Sequence, residues 1–310
     1  MRTNRAFRLR RRIWRVRRSV PRVALPVSRV LPQFEPPSGP ILVIGCPRAG
    51  TSTLLQALLH SPELRSVQSE GHILWDEFHH PRDRGWDSDA LTAADVTQRE
   101  REYVYCAIKL FVRCRRFVDK TPESCLRISY LDELFPNATF VFLRRRAADN
   151  VSSLVEAWKA RPRFVKYRLP EPLTGLGALS GPQWSFVLVP GWRELLGGSL
   201  ETICARQYVA CNEAVLQERS SMDPARWIDV AYEDLVQTPV DGLRSLYGTL
   251  GLRFTSDAER FADRLADNPA RTALSMPGVG KWREQNPETI ARIQPLVAET
   301  EQRLGYAPFP

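Results

Sequence analysis

Short apolar runs alternate along the 310-residue chain with longer segments of helical spacing. Residues 41–44 and 139–143 are mainly aliphatic and aromatic, as expected of strands buried on both faces of a parallel sheet. Residues 116–119 and 226–231 are two further strand candidates. Because strands alternate with helices, the pattern predicts an α/β fold with a central parallel sheet flanked by helices in three layers, joined by right-handed crossovers.

The helical spacing predicts seven helices, at residues 53–60, 122–135, 147–159, 201–219, 239–250, 256–267 and 287–303. Between 161 and 199 the periodicity fails, although this segment contains the large aromatic residues Trp184, Phe186 and Trp192. Irregular segments of this length inside a domain usually form lids or walls of a substrate site. We therefore expect 161–199 to be an irregular insertion on the substrate side.

The net charge of +9 is concentrated at one end of the chain. Residues 1–35 hold eleven arginines and a single acid, whereas the rest carries 33 of the 44 basic and 34 of the 35 acidic side chains. The Pro-rich stretch 32–40 follows this basic segment. The sequence thus predicts a basic N-terminal arm, residues 1–38, that is disordered or peripheral, and one α/β domain, residues 39–310.

The arm has three interpretations. It could be a solvated tail, a peripheral contact with an anionic membrane, or a cleaved organelle presequence; nucleic acid is not an expected partner. It lacks the apolar segment of a secretory signal, and the longest apolar run of the chain, residues 41–46, is far shorter than the roughly 20 residues of a membrane span. Six cysteines without a CxxC pair fit a reducing compartment, so the predicted location is cytoplasmic.

A glycine-bearing loop between the first strand and its helix is the first candidate site. Gly45 and Gly50 allow a tight turn with inward-facing amides, and the helix that follows adds its positive dipole end. A nucleoside-triphosphate loop of this spacing would carry lysine at the position of Thr51; here the cation is Arg48, inside the loop. The loop is therefore predicted to bind an anion but not to serve an ATP or GTP hydrolase.

This loop resembles that of a known family. Residues 47–53, Pro-Arg-Ala-Gly-Thr-Ser-Thr, are similar to the 5′-phosphosulfate loop of sulfotransferases that use 3′-phosphoadenosine 5′-phosphosulfate (PAPS). Ala49 stands where the family usually has serine. Residues 140–145 followed by Ser153 resemble the family's 3′-phosphate motif, in which an arginine ends a strand and a serine follows eight residues later on a helix.

The second motif leaves a choice of arginine. Alignment on Ser153 favours Arg145, while Arg144 and Arg146 remain alternatives, and the family's usual Asp-Pro is replaced by Arg146-Ala147. Asp119-Lys120-Thr121-Pro122 resembles the lysine-bearing strand end seen across the family. Three further segments resemble the bacterial and tyrosylprotein types: Tyr232-Glu233-Asp234-Leu235, Gly280-Lys281-Trp282-Arg283 and Leu304-Gly305-Tyr306. The resemblance runs from about residue 40 to residue 306.

The resemblance implies an activity: in-line transfer of a sulfuryl group from PAPS, as cosubstrate, to a hydroxyl or amine of an acceptor, with no metal required. Arg48 and Lys120 are expected to neutralise the leaving oxygen. The residues expected to bind the cosubstrate are Pro47, Arg48, Ala49, Gly50, Thr51, Ser52, Thr53, Arg145, Ser153, Lys281 and Trp282. The acceptor is left open between a small molecule, a glycan and a peptide.

The acceptor also needs a general base, for which Glu70 and His72 are the candidates. The tyrosylprotein-type enzymes have a glutamate at nearly this spacing after the loop, which favours Glu70. In the cytosolic steroid and phenol type the base is a histidine that follows the lysine, but here Pro122 holds that position. Two alternative functions remain: an ATP-dependent P-loop kinase, and a non-catalytic nucleotide-binding protein docked by its arm.

Overall fold

The structure is a computed structural model, and it describes residues 20–31, 34–67, 70–267, 269–270 and 273–307. Its strands are β1 (Ile41–Ile44), β2 (Leu64–Arg65), β3 (Arg116–Lys120), β4 (Thr139–Arg144), β5 (Val165–Leu173), β6 (Gly181–Ser185) and β7 (Trp227–Ala231). Five of them form one parallel sheet in the order β2-β3-β1-β4-β7. The predicted central parallel sheet is confirmed.

The helices are α1 (20–30), α2 (Thr51–Leu58), α3 (His72–Trp75), α4 (Gln98–Val112), α5 (Ile128–Leu134), α6 (Ala147–Lys159), α7 (Leu200–Arg219), α8 (Tyr232–Gln237), α9 (Pro239–Thr249), α10 (Ser256–Asp263), α11 (Trp282–Gln285) and α12 (Pro287–Arg303). The helix predicted at 122–135 is divided, because Pro122–Leu126 is a 3₁₀ turn and α5 begins at Ile128. Among the described residues, no helix combines the length and apolarity that a bilayer crossing needs.

The central strands send alternate side chains into two separate cores, one on each face of the sheet. Leu42 and Phe140 belong to the first core, with residues of α4, α5, α6, α7 and α12. Val43 and Val141 belong to the second core, with residues of α2, α8, α9 and α10. Both faces of the sheet are therefore covered by helices, which confirms the three-layer α/β class.

Residues 161–199 differ from the expected irregular insertion. Strands β5 and β6 form an antiparallel hairpin, and Trp184 and Trp192 are fully buried in the first core. The register between the strands shifts twice, and Pro170 and Pro172 interrupt β5. These irregularities remove the strict alternation by which a strand is recognised in a sequence.

The arm also differs in part from its prediction as a disordered or peripheral segment. Residues 20–30 form α1, and the Val20 and Ala24 side chains, one helical turn apart, are fully buried in the first core. Because arginines are frequent in and around this segment, the helical spacing of its apolar residues is not evident in the sequence. Residues 1–19, 32 and 33 of the predicted arm lie outside the described residues.

Candidate active site at the carboxyl edge of the sheet

The loop between β1 and α2 packs tightly against the sheet. At Gly45, a Cβ would lie 2.6 Å from the Leu143 carbonyl oxygen. At Gly50, which has φ +105°, a Cβ would lie 2.6 Å from the Tyr232 ring. Only glycine fits at these two positions, so the loop is pressed against β4 and α8, and the first amides of α2 face the space in front of it.

Two side chains from other elements hold the loop by its carbonyl groups. Asn150 on α6, which is fully buried, donates from Nδ2 to the Pro47 oxygen at 2.8 Å. Arg145 at the end of β4 donates from one guanidinium nitrogen to the Arg48 oxygen at 2.9 Å. Both carbonyl groups are therefore already hydrogen-bonded within the protein. The role of Asn150 had no signal in the sequence.

A cavity of about 210 Å³ lies in front of the loop. Nine of the eleven residues predicted to bind the cosubstrate line it: Arg48, Gly50, Thr51, Ser52, Thr53, Arg145, Ser153, Lys281 and Trp282. Pro47 and Ala49 do not line it, since Ala49 is buried and Pro47 contributes its carbonyl to the bond with Asn150. The structure therefore brings residues from three segments of the sequence together around one space.

Positive charge accumulates in this cavity. Burial, followed by the charges of Arg145 and Arg163, lowers the pKa of Arg48 to about 10. Burial and the charge of Arg145 also lower the pKa of Lys281. Cations that destabilise one another in a half-enclosed cavity are stabilised when an anion binds between them, so the site suits a polyanionic ligand.

Of the three neighbouring arginines, Arg145 lines the cavity. Arg144 and Arg146 donate instead to the carbonyl oxygens of Leu304 and Ala307, at 3.0 and 2.9 Å. The backbone of β4 thus directs one guanidinium towards the ligand space and two towards the C-terminal segment.

Arg145 is also tied to the far wall of the cavity. Its guanidinium lies 4.0 Å from the centre of the Tyr232 ring, and it donates to the Gly278 oxygen at 3.3 Å. Asp149 accepts from the Gly280 amide at 2.9 Å, which fixes the segment that carries Lys281. The Nε atom of Arg145 is buried and has no hydrogen-bond partner among the described residues. Such an orphaned donor fits a site that receives a ligand acceptor atom.

Next to the loop, the predicted catalytic residues Glu70 and Lys120 form an ion pair. Lys120, the last residue of β3 and almost fully buried, donates from Nζ to Glu70 Oε1 at 2.5 Å. His72 Nδ1 lies 3.7 Å from the other Glu70 oxygen. Lys120 pairs in register with Val43, two residues before the loop, so these groups share the carboxyl edge of the sheet with the cavity.

A buried hydrogen-bond chain supports this ion pair. Thr121 Oγ1 accepts from the Gly71 amide at 2.9 Å and donates to Asp119 Oδ2 at 2.8 Å. Burial raises the pKa of Asp119 to about 6. The chain fixes the backbone next to Glu70 from beneath. Asp119 and Thr121 flank Lys120 in the same sequence motif, of which only the lysine was predicted to have a role.

Comparison with known proteins shows the family of the chain. The model of the sulfotransferase family matches residues 40–171 and 182–256. The chain belongs to the sulfotransferase family. The unmatched residues 172–181 are the end of β5, the turn of the hairpin and the first residue of β6. The predicted family and the predicted enzyme class, sulfotransferase, are confirmed, and the kinase alternative is not supported.

Individual relatives are distant in sequence. A protein of Caenorhabditis briggsae named "Putative protein-tyrosine sulfotransferase" is 24% identical over 229 residues, which are 69% of this chain and 66% of that protein, just under two thirds of its length. Sulfotransferase STF9 from Mycobacterium avium has a TM-score of 0.56 at 17% identity, over 89% of this chain and 78% of the other. The sulfotransferase domain of the Synechococcus PCC 7002 olefin synthase has a TM-score of 0.54 at 19% identity, over 90% and 98%. These structural matches show that the fold is shared.

Proposed function

We propose that this sulfotransferase uses PAPS as its cosubstrate and transfers the sulfuryl group to a hydroxyl or amine of its acceptor. One observation carries the proposal: Arg145 and Ser153 line the same cavity as the glycine loop. The loop offers amides and hydroxyls to a 5′-phosphosulfate, and the second pair offers a guanidinium and a hydroxyl to a 3′-phosphate. ATP has no phosphate at its 3′ position and gives Arg145 no such partner.

The residues at the edge of the sheet fit an in-line displacement. The Glu70 carboxylate takes the proton of the acceptor hydroxyl, whose oxygen forms the new bond to sulfur. The bond between sulfur and the 5′-phosphate oxygen breaks, and this oxygen keeps the electron pair. Arg48 and Lys120 stabilise the charge that develops on it. Because an ammonium group has three donors, Lys120 can contact the leaving oxygen while it remains beside Glu70.

Calorimetric titration tests the cosubstrate. We expect adenosine 3′,5′-bisphosphate to bind more tightly than adenosine 5′-phosphate and than ATP with Mg²⁺. Arg145→Ala should weaken the bisphosphate at least tenfold while changing the affinity for adenosine 5′-phosphate less than twofold, because the lost charge-assisted contact is to the 3′-phosphate.

Arg144→Ala is the matched control. Because Arg144 donates to the Leu304 carbonyl and not towards the cavity, its substitution should change neither affinity. An equal loss for both nucleotides in Arg145→Ala would remove Arg145 from its proposed role. A preference for ATP with Mg²⁺ would contradict the proposed cosubstrate.

A further inference from the structure

Arg145 lies in the short connection between β4 and α6. Strand β4 ends at Arg144, where its pairing with β7 also ends, and α6 begins at Ala147. The direction in which a side chain leaves the backbone is set by the backbone conformation around it. The bonds of the peptide groups that follow Arg145 therefore decide whether its guanidinium reaches the cavity.

The peptide group between Arg145 and Arg146 is hydrogen-bonded at both of its polar atoms. The carbonyl oxygen of Arg145 accepts from the Tyr208 hydroxyl of α7 at 3.1 Å. The amide of Arg146 donates to Glu233 Oε1 of α8 at 3.0 Å. Because a peptide group is planar, one bond at each end fixes the orientation of the whole plane. Two side chains from distant elements thus determine the path of the chain directly after Arg145.

Both of these side chains are held in place by their surroundings. Tyr208 is fully buried in the first core. Glu233 is half-buried, and its second oxygen, Oε2, accepts from the Tyr306 hydroxyl at 2.8 Å. The next amide of the chain, that of Ala147, donates to Glu301 Oε1 of α12 at 2.7 Å. The two carboxylates also offset the positive dipole end of α6, so the start of this helix is fixed together with the peptide group before it.

We propose that Tyr208 and Glu233 are positioning residues for Arg145: they hold the peptide group that follows it, and this keeps the guanidinium in the wall of the cavity. The inference rests on the proposed function, which gives Arg145 the 3′-phosphate as its ligand. A cation that is held in place before binding loses little freedom when the anion arrives, so affinity for the 3′-phosphate depends on this hold. Glu233 thereby receives a role within the motif 232–235.

Substitutions that remove one end of this hold test the proposal. Calorimetry measures the affinity of the full-length protein for adenosine 3′,5′-bisphosphate and for adenosine 5′-phosphate. Tyr208→Phe and Glu233→Ala should each weaken the bisphosphate about fivefold, the contribution of one net hydrogen bond, and change the affinity for adenosine 5′-phosphate less than about twofold. Glu233→Gln should bind the bisphosphate within about twofold of the wild type, because its side-chain oxygen can still accept from the Arg146 amide.

Two matched controls remove similar groups away from this peptide group. Tyr105 is a buried tyrosine of the same core, and its hydroxyl donates to the Leu134 carbonyl oxygen at 2.6 Å, so Tyr105→Phe loses an equivalent bond elsewhere. Asp234→Ala removes an exposed carboxylate from the same helix as Glu233. Neither control should change the affinity for either nucleotide.

A double variant tests whether the effect passes through Arg145. In Arg145→Ala the contact with the 3′-phosphate is already absent, so adding Tyr208→Phe should weaken the bisphosphate by less than about twofold more. A merely structural role of Tyr208 would instead weaken it by the same factor with and without Arg145.

The outcomes are distinct. If Arg145→Ala loses the bisphosphate selectively but Tyr208→Phe and Glu233→Ala do not, or weaken both nucleotides equally, the positioning role is overturned and the proposed function remains. The full effect of Tyr208→Phe on top of Arg145→Ala would overturn it in the same way. If Arg145→Ala causes no selective loss, the proposed function loses its supporting observation and the positioning role falls with it. Should Tyr208→Phe fail to fold, Glu233→Ala, at a half-buried position, takes its place in the double variant.

Discussion

At the scale of single residues, the ion pair between Glu70 and Lys120 is the basis of the proposed mechanism. The two groups come from segments 50 residues apart, and the buried end of β3 brings the ammonium to the carboxylate. In the proposed mechanism, this bond orients the Glu70 carboxylate, and the Lys120 ammonium also stabilises the charge that moves onto the leaving oxygen.

Glu70→Gln tests the base. The amide keeps the shape of the side chain but takes up no proton, so kcat should fall by about 10²- to 10⁴-fold while affinity for adenosine 3′,5′-bisphosphate changes less than twofold. Single-turnover sulfation and calorimetry measure the two quantities. His72→Gln is the control and should lower kcat by less than tenfold; the reverse order of effects would assign the base to His72.

Asp119 gives a prediction about stability and pH. Its pKa of about 6 in the folded protein exceeds its ordinary value of 3.8, because burial disfavours the charged form. Between about pH 4 and 6 the folded state therefore holds a proton that the unfolded state has lost, and the free energy of unfolding falls as pH rises through this window. Above pH 6 the full cost is present, on the order of 3 kcal/mol.

Asp119→Asn removes this titration. The variant should be about 1–3 kcal/mol more stable than the wild type at pH 7.5, and the difference should vanish near pH 4. Urea unfolding across this range measures it, with Asp83→Asn, an exposed carboxylate, as control. Parallel curves for the wild type and Asp119→Asn would contradict the assignment.

At the scale of elements, the strand–loop–helix unit β1–α2 organises the site. Its sequence signals are local: an apolar run, two glycines and a helical stripe. Other elements carry weaker signals. Helix α4 begins with a capping box between Thr97 and Glu100, but it was not predicted, because charged residues obscure its apolar spacing. Strand β2 has only two residues, too few for any periodicity.

Gly50→Ala tests the loop as an element. The added methyl group would meet the Tyr232 ring at 2.6 Å, and φ +105° is unfavourable for alanine, so the loop must shift. We expect a loss of stability of about 1–3 kcal/mol and at least tenfold weaker binding of the bisphosphate. Gly248→Ala is the control, because a Cβ there meets nothing within 4 Å. Thermal unfolding measures the stability, and calorimetry measures the affinity for the bisphosphate. If Gly50→Ala and Gly248→Ala had the same stability and affinity, the loop would tolerate a side chain at position 50 and the prediction would be wrong.

At the scale of the whole molecule, the N-terminal region has two parts, an arginine-rich segment and a helix that contributes to the first core. Residues 1–19 hold nine of the eleven arm arginines, whereas residues 20–30 supply Val20 and Ala24 to the first core. We propose that the arginine-rich part contacts anionic membranes peripherally. The proposed contact is electrostatic and should weaken with salt.

Two truncations separate these roles. A chain beginning at residue 20 should keep its melting temperature and bisphosphate affinity but lose salt-sensitive binding to vesicles that contain phosphatidylserine. A chain beginning at residue 36 should also melt several degrees lower, because buried side chains of the first core are removed. Phosphatidylcholine vesicles are the control, and equal vesicle binding by the full and the shorter chains would refute the membrane contact. The cytoplasmic location stays a prediction.

The sequence alone determined the α/β class, most strands and helices, the anion loop and the family, because each depends on residues that are close together in the chain or on the order of short motifs. Tertiary structure decided the rest. It placed Arg145, rather than Arg144 or Arg146, in the wall of the cavity, and it paired Glu70 with Lys120. These contacts join elements distant in the chain, and the direction of each side chain is set by packing that no local pattern records.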